Sequence, residues 1–436
     1  MYRRDFLVRT GQAIGAVALA SALHRAEALA KKQSASDAPA WEDVRANFNL
    51  APGLIHMAGF FLSSHPRPVR DAIEAYRRAL DANPIEYFFD NVTKLEAAVA
   101  AAAGHYLGVD PGDIALTDST TMGLGLLYSG LKLRANQEIL TTTHDHYSTE
   151  ISLRLRAERT GASVRRISLY QDAAAKSVGE IVDNIARGVT PQTRVLAVTW
   201  VHSCTGVKLP IRAIADALKP INAGRDEQDR VLLCVDGLHG LGVDGTELPE
   251  LGPDFFVAGC HKWMFGPRGT GLVWGKPTAW PAATATIPTF DDAAYEMWME
   301  IRPQAPIPIG SLMSPGGFHS FEHRWALDRA FQFHQTIGKP RIAERIHALN
   351  RQLKEGLAKM PNVKLYTPME DELSAGIVCF DVQSMQAQQV VDQLRAKKIV
   401  ASVTPYKTLY ARLSPGLLNT PAEVEATLAA VRELRG

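Results

Sequence analysis

The sequence predicts an α/β protein, with a mostly parallel central sheet in a large domain and a smaller C-terminal α+β domain. Three observations predict it. Short apolar, β-branched runs alternate with segments of helical spacing, as strands and crossover helices of a parallel sheet do. These runs are apolar at nearly every position, which marks strands buried on both faces. The rhythm then changes after residues 278–315, a stretch rich in Pro, Ala and aromatics with little periodicity. With 436 residues, 46% hydrophobic and 21% charged, the chain is long enough for two domains sharing a substantial core.

The N-terminus is read first. Arg3-Arg4-Asp5-Phe6-Leu7 precedes a weakly apolar run over 11–23 and then Ala28-Leu29-Ala30, an A-x-A cleavage pattern. Residues 1–30 therefore have the layout of a twin-arginine signal peptide. The run is too short and too Ala/Gly-rich to make a good membrane span, so no stable membrane insertion is expected. Passage through the twin-arginine export machinery would place the mature chain in the periplasm, already folded. Residues 31–65 read as a linker and arm, 66–313 as the large domain and 314–436 as the small one.

Within the large domain, 195–200, 231–236 and 255–259 read as buried strands, and 210–218 between the first two as a helix. In the small domain, 363–366, 376–382 and 400–403 read as strands, 386–397 as a helix and 421–434 as a closing helix. No internal repeat is visible.

Composition excludes several classes of function. A formal net charge of +1, with no long basic stripe, gives no field to hold nucleic acid. The four cysteines, Cys204, Cys234, Cys260 and Cys379, are widely spaced with no C-x-x-C pair, so no metal site is expected. Cys234 and Cys379 lie inside apolar runs and read as small buried hydrophobes.

Chemistry concentrates where strands end. The run 231–235 delivers Asp236-Gly237-Leu238-His239, and the run 255–259 delivers Cys260-His261-Lys262-Trp263. In open parallel sheets, ligands bind outside the carboxyl ends of the strands. An Asp-Gly after a strand is alone a common turn, and a lone lysine is ordinarily solvated. Together, a carboxylate to keep a pyridine nitrogen protonated and a lysine to form a Schiff base are what pyridoxal 5′-phosphate (PLP) chemistry needs. Lys262 also has an unusual setting for a surface lysine, between His261 and Trp263-Met264-Phe265. The glycine-rich turn Gly266-Pro267-Arg268-Gly269-Thr270-Gly271 follows.

The segment from Val235 to Gly242, then Asp254 to Trp263 and Gly266 to Gly271, resembles the signature of class V aminotransferases, shared by cysteine desulfurases and isopenicillin N epimerase-like proteins. The resemblance runs from about Pro66 to the end. It implies the fold of the fold-type I PLP transferases and, by family habit, a homodimer. It assigns Lys262 to the Schiff base, Asp236 to the pyridinium, His239 to the neighbourhood of the ring hydroxyl and His261 to the phosphate. Thr120 and Thr121, in a loop opening a helix after Ser119, would hold phosphate on free N–H groups and hydroxyls. His146 would lie on the ring face, with His144 or Tyr147 supplying it after a one-residue shift. Ser203 would contact the ring hydroxyl, with His202 as its substitute.

Departures from the family bear on the reaction. Cys379 sits in a strand-like run and not on a loop, which disfavours desulfurase chemistry. No arginine stands near Val403-Thr404-Pro405, where the family clamps a substrate carboxylate. Arg412 matches a later family arginine, structural or substrate-binding. Tyr87, in 83–89, and Arg324 or His319, in 315–325, are candidate substrate contacts. For Arg324 the rival role is a pair with Glu322 or Asp328 on a helix face.

The expected partner is a small-molecule or peptide amine. Export with epimerase-like motifs resembles the periplasmic PLP enzymes that modify the glutamyl side chain of pyoverdine-type siderophores. Epimerisation, transamination and oxidative or decarboxylative modification all stay open at this point, as does a binding protein that keeps the fold without turnover.

Overall fold

The computed structural model describes residues 38–301 and 306–435, so the expected signal at 1–30 and the first residues of the linker and arm, 31–37, lie outside the described residues. Seven strands form the main sheet: β2 (Ile114–Thr117), β3 (Glu138–Thr142), β4 (Ser163–Ile167), β5 (Thr193–Thr199), β6 (Leu232–Asp236), β7 (Phe255–Gly259) and β8 (Gly271–Gly275). Their spatial order is β2-β8-β7-β6-β5-β3-β4. Only β8 runs against its neighbours. The other six therefore end on one edge.

The central strands are buried along their whole length, and Val195, Leu196, Val198, Val257 and Phe256 have no solvent exposure. Each such side chain contributes about 1.5–3 kcal/mol by leaving water. Helices cover both faces. Pro84–Leu107 begins with Pro at N1 and ends on Gly108, whose left-handed φ of 72° suits glycine at a helix end.

Four short strands form a second sheet: β9 (Val363–Leu365), β10 (Val378–Val382), β12 (Ser402–Val403) and β13 (Ala411–Leu413), in the order β12-β13-β10-β9. The run expected as one strand over 400–403 is divided. Its first part, β11 (Ile399–Val400), pairs in parallel with β1 (Ile55–His56) of the N-terminal arm, and its second part joins β13. Packing passes between the two cores along the helix Lys339–Ala358. Ile342 and Ile346 join the large core, whereas Leu349, Leu353 and Leu357 join the small one. Among the described residues no helix is long and apolar enough to cross a membrane.

Candidate active site

The shared edge collects the chemically useful side chains. β6 ends on Asp236, which is 3% exposed and receives the Leu238 N–H at 3.1 Å. Burial pushes its carboxyl up to about 6 from the ordinary 3.8. Lys262 follows β7. Burial pushes its amine down to about 8; Asp236 opposes that shift and Arg412 adds to it. Its Nζ lies 3.4 Å from His239 Nε2. The backbone around Lys262 is fastened from the N-terminal arm, where Ser63 Oγ donates to Lys262 O at 2.6 Å. Phe265 then takes a left-handed φ of 56°, unusual for a non-glycine residue, as the chain turns into β8.

β2 leads into the helix Thr120–Gly130, capped by Ser119 through the Met122 N–H at 3.1 Å. The first N–H groups of such a helix have no intrahelical partner and suit an anion. Thr120 Oγ1 accepts the Gly259 N–H at 2.7 Å, and Thr121 Oγ1 pairs with Ser148 Oγ at 2.9 Å. A Cβ on Gly259 would stand 2.9 Å from Thr120 Oγ1 and 3.0 Å from His261 Cε1, so the His261 ring flanks this helix end. Burial, then Lys262 and Arg268, push His261 down to about 4.

The two candidate ring-stacking histidines separate. His144 stacks on Tyr170 at 4.1 Å and 14°, and its Nε2 accepts the Leu169 N–H, so it is committed away from Lys262. His146 caps the helix Tyr147–Thr160, and its imidazole is pushed down by burial and then by the charges of Lys262 and Arg412. It thus faces the cationic end of the site. Asp145 holds this turn in place. It accepts from Thr142 N, Thr141 Oγ1 and Thr142 Oγ1 on β3, and from Thr199 N on β5 at 2.7 Å.

After β5, Ser203 Oγ lies 2.8 Å from Tyr406 Oη. His202 Nδ1 meets Tyr170 Oη at 2.8 Å, while its buried Nε2 has no hydrogen-bond partner. Arg412, 2% exposed, donates to Ser203 O and Val403 O at 2.9 Å and to Ser402 Oγ at 3.2 Å. Its guanidinium lies 4.8 Å from the Phe60 ring centroid. Tyr406, Phe60 and Tyr170 are not read from the sequence as site residues. Their roles come from contacts between distant segments, for which the sequence carries no local signal.

The three candidate substrate contacts of this region, Arg324, His319 and Tyr87, each have partners within the chain. Arg324 is buried and pairs with Asp118 at 3.0 Å and Glu96 at 3.7 Å, partners other than the Glu322 or Asp328 weighed from the sequence. Its charge is spent on those carboxylates because the helix Phe321–Trp325 turns it inward. His319 also faces Glu96, at 3.6 Å. Tyr87 packs near Trp325, 6.4 Å between centroids, in an aromatic cluster with Phe88 and Phe321.

The arrangement fits PLP. A buried carboxylate with an elevated pKa suits a cationic ring nitrogen, a nearby amine with a lowered pKa suits an aldehyde, and the helix terminus beside His261 suits a phosphate.

Comparison with known proteins agrees with this geometry. The family model "Aminotransferase class-V" matches residues 63–408. The chain is 24% identical over 410 residues to isopenicillin N epimerase of Streptomyces clavuligerus, covering 91% of this chain and 98% of that one. It is 23% identical over 413 residues to a probable cysteine desulfurase of Streptomyces coelicolor, covering 88% and 92%. Among solved structures, a lysine-to-alanine mutant of C-DES with glycine covalently linked to its PLP cofactor superposes with a TM-score of 0.80 at 20% identity, covering 90% of this chain and 99% of that one. A cysteine desulfurase from Thermococcus onnurineus gives a TM-score of 0.76 at 20% identity, covering 90% and 97%.

Proposed function

The chain belongs to the class-V aminotransferase family, and from that premise we propose that it is an exported PLP enzyme acting on the amino group of a carboxylate-bearing substrate. Its cofactor is pyridoxal 5′-phosphate, which when bound supplies an aldehyde for an amine and an electron-withdrawing ring beside the reacting carbon. The observation that carries the reading is Asp236 and Lys262 at neighbouring strand ends, each with its pKa displaced by burial. Asp236 would hold positive charge at the ring nitrogen. Lys262 would be the amine for the aldehyde and the base that takes a proton from the substrate Cα and returns it. His146 would lie against the ring and exclude water, Ser203 and His239 would orient the ring hydroxyl, and Thr120, Thr121 and His261 would hold the phosphate.

Arg412 is the group best suited to a substrate carboxylate. A guanidinium has five N–H donors. Arg412 makes three contacts, all to neutral acceptors, which leaves donors for a carboxylate. Arg412→Lys loses the planar fork and is expected to raise KM by about 10²-fold with a smaller change in kcat, the loss of a charge-assisted pair. Steady-state kinetics decide it, and an unchanged KM would remove Arg412 from the substrate site.

Desulfurase chemistry is disfavoured. That reaction needs a thiolate, whereas burial pushes Cys204 up to about 11 and holds Cys379 protonated within β10. The substrate we favour is a glutamyl or amino-acid side chain of a pyoverdine-type peptide siderophore. Export and the family's absent arginine near Val403 support a substrate other than a free cytoplasmic amino acid. Epimerisation or transamination of a free amino acid or peptide is the alternative. Incubation with candidate amines, read for α-hydrogen exchange, amine loss and product mass, separates these reactions. A protein that holds PLP and exchanges no α-hydrogen with any candidate amine would count against turnover of this kind.

Replacing both Arg3 and Arg4 by Lys is expected to leave the uncleaved precursor in the cytoplasmic fraction, and unchanged localisation of the variant on fractionation and immunoblotting would overturn export. We also propose a homodimer. Phe89 and Phe318, 72% and 84% exposed, both pack on Phe88, and adjoining exposed aromatics of this kind suit a covering partner.

A further inference from the structure

Beside Lys262, two ring contacts in series fix the position of one proton. Trp263 Nε1 lies 3.3 Å from His239 Nδ1, and an indole N–H can only donate. Nδ1 of His239 is therefore an acceptor and carries no hydrogen. Burial keeps this imidazole neutral, so its single proton sits on Nε2. That nitrogen is the one 3.4 Å from Lys262 Nζ. An ammonium there would set donor against donor, whereas a neutral amine offers its lone pair.

We propose that Trp263 is a positioning residue that locks His239 in its Nε2–H tautomer and thereby opposes protonation of Lys262, the amine on which the proposed function rests. The neutral amine is the form that adds to an aldehyde carbon, with the aldehyde oxygen leaving as water. It is also the form that accepts a proton from a substrate carbon.

The indole is well placed for such a role. Trp263 is 5% exposed, and Phe60 packs on both rings, 6.4 Å from Trp263 and 5.7 Å from His239. Gly376 leaves the room it needs, since a Cβ there would stand 2.7 Å from Trp263 Cη2. The other charged or titratable groups around Lys262 come from separate elements. Asp236 at the end of β6 favours the ammonium, and Arg412 on β13 opposes it. His146 and His261 are themselves pushed toward neutrality by burial. None of these can replace the donor that faces Nζ.

The test uses the full-length protein with histidine labelled by ¹⁵N, assigned by loss of the His239 signal in His239→Gln. The expected wild-type spectrum has His239 protonated on Nε2 and bare on Nδ1. Trp263→Phe keeps a ring and removes the N–H; it is expected to move the proton to Nδ1 or to a mixture of both nitrogens. After removal of PLP with hydroxylamine, the pH midpoint for reattachment of PLP at Lys262 is expected about one unit higher in the variant, the size of one hydrogen bond to a charged group. That shift is roughly a tenfold slower capture below the midpoint.

A wild-type proton on Nδ1, or a variant with unchanged ¹⁵N shifts and an unchanged midpoint, would overturn the proposal. The wild-type spectrum alone decides the tautomer if the variant does not fold. Failure of PLP to attach to Lys262 in wild type would instead refute the proposed function, and the ¹⁵N signals would still test the tautomer.

Discussion

Lys262→Ala is expected to abolish covalent capture of PLP and to lower turnover by about 10³-fold or more. One amine is asked both to add to the aldehyde and to move the Cα proton, and a positioned general base contributes about 10²–10⁴ by itself. The measurement is the visible absorption band before and after borohydride, with the reduced peptide identified by mass. In wild type the modification should fall on Lys262, and in the variant both band and modified peptide should be missing. The cofactor-free variant should not unfold more easily. Lys262 has its folded pKa near 8 against an ordinary 10.5, so the folded state binds its proton less tightly. Its charge therefore costs stability below pH 8, and the cost disappears as the pH rises from 8 to 10.5. Alanine escapes a penalty of roughly 2–3 kcal/mol at neutral pH, which offsets the packing lost with the lysine stem. Retained turnover in a folded variant would remove Lys262 from the chemistry.

The sequence is most readable where chemistry adjoins a long apolar run. The runs 195–200, 231–236 and 255–259 stand in the structure as β5, β6 and β7, and Asp236 and Lys262 follow from them as groups at strand ends. β13 is a different case. It carries Arg412 in the middle of three buried residues, and an arginine there signals surface until its acceptors from Ser203, Ser402 and Val403 are known. The division of 399–403 between two sheets depends on β1, more than 340 residues earlier in the chain. Arg324 shows the same limit. It reads as a conspicuous cation in an aromatic segment, and nothing local marks Asp118, 206 positions away, as its partner. The link between Ser203 and Tyr406 spans 203 positions and likewise has no local pattern.

Asp236→Asn separates stability from catalysis at one position. The change keeps the shape of the side chain and removes its charge. In the cofactor-loaded enzyme turnover is expected to fall by about 10²–10³-fold, because the ring nitrogen loses the carboxylate that keeps it protonated while electrons move into the ring. The cofactor-free protein should respond in the opposite direction. The folded pKa of Asp236 is raised to about 6 from 3.8, so the folded state binds the proton more tightly than the unfolded chain. The stability this confers is fully present below pH 3.8 and is lost as the pH rises to about 6. At pH 7 the ionised, buried carboxylate then costs roughly 3 kcal/mol, which a neutral amide avoids apart from its own desolvation. Melting curves of the two cofactor-free proteins should coincide near pH 4 and separate between pH 4 and 6, with the asparagine variant higher. Adding PLP should narrow or reverse that gap, since only the carboxylate gains a cationic partner. Parallel melting curves across this window, or full turnover in the variant, would mean that Asp236 is not the ring's counter-charge. A site that sacrifices stability to keep a carboxylate buried and ionised is one that a bound cation completes.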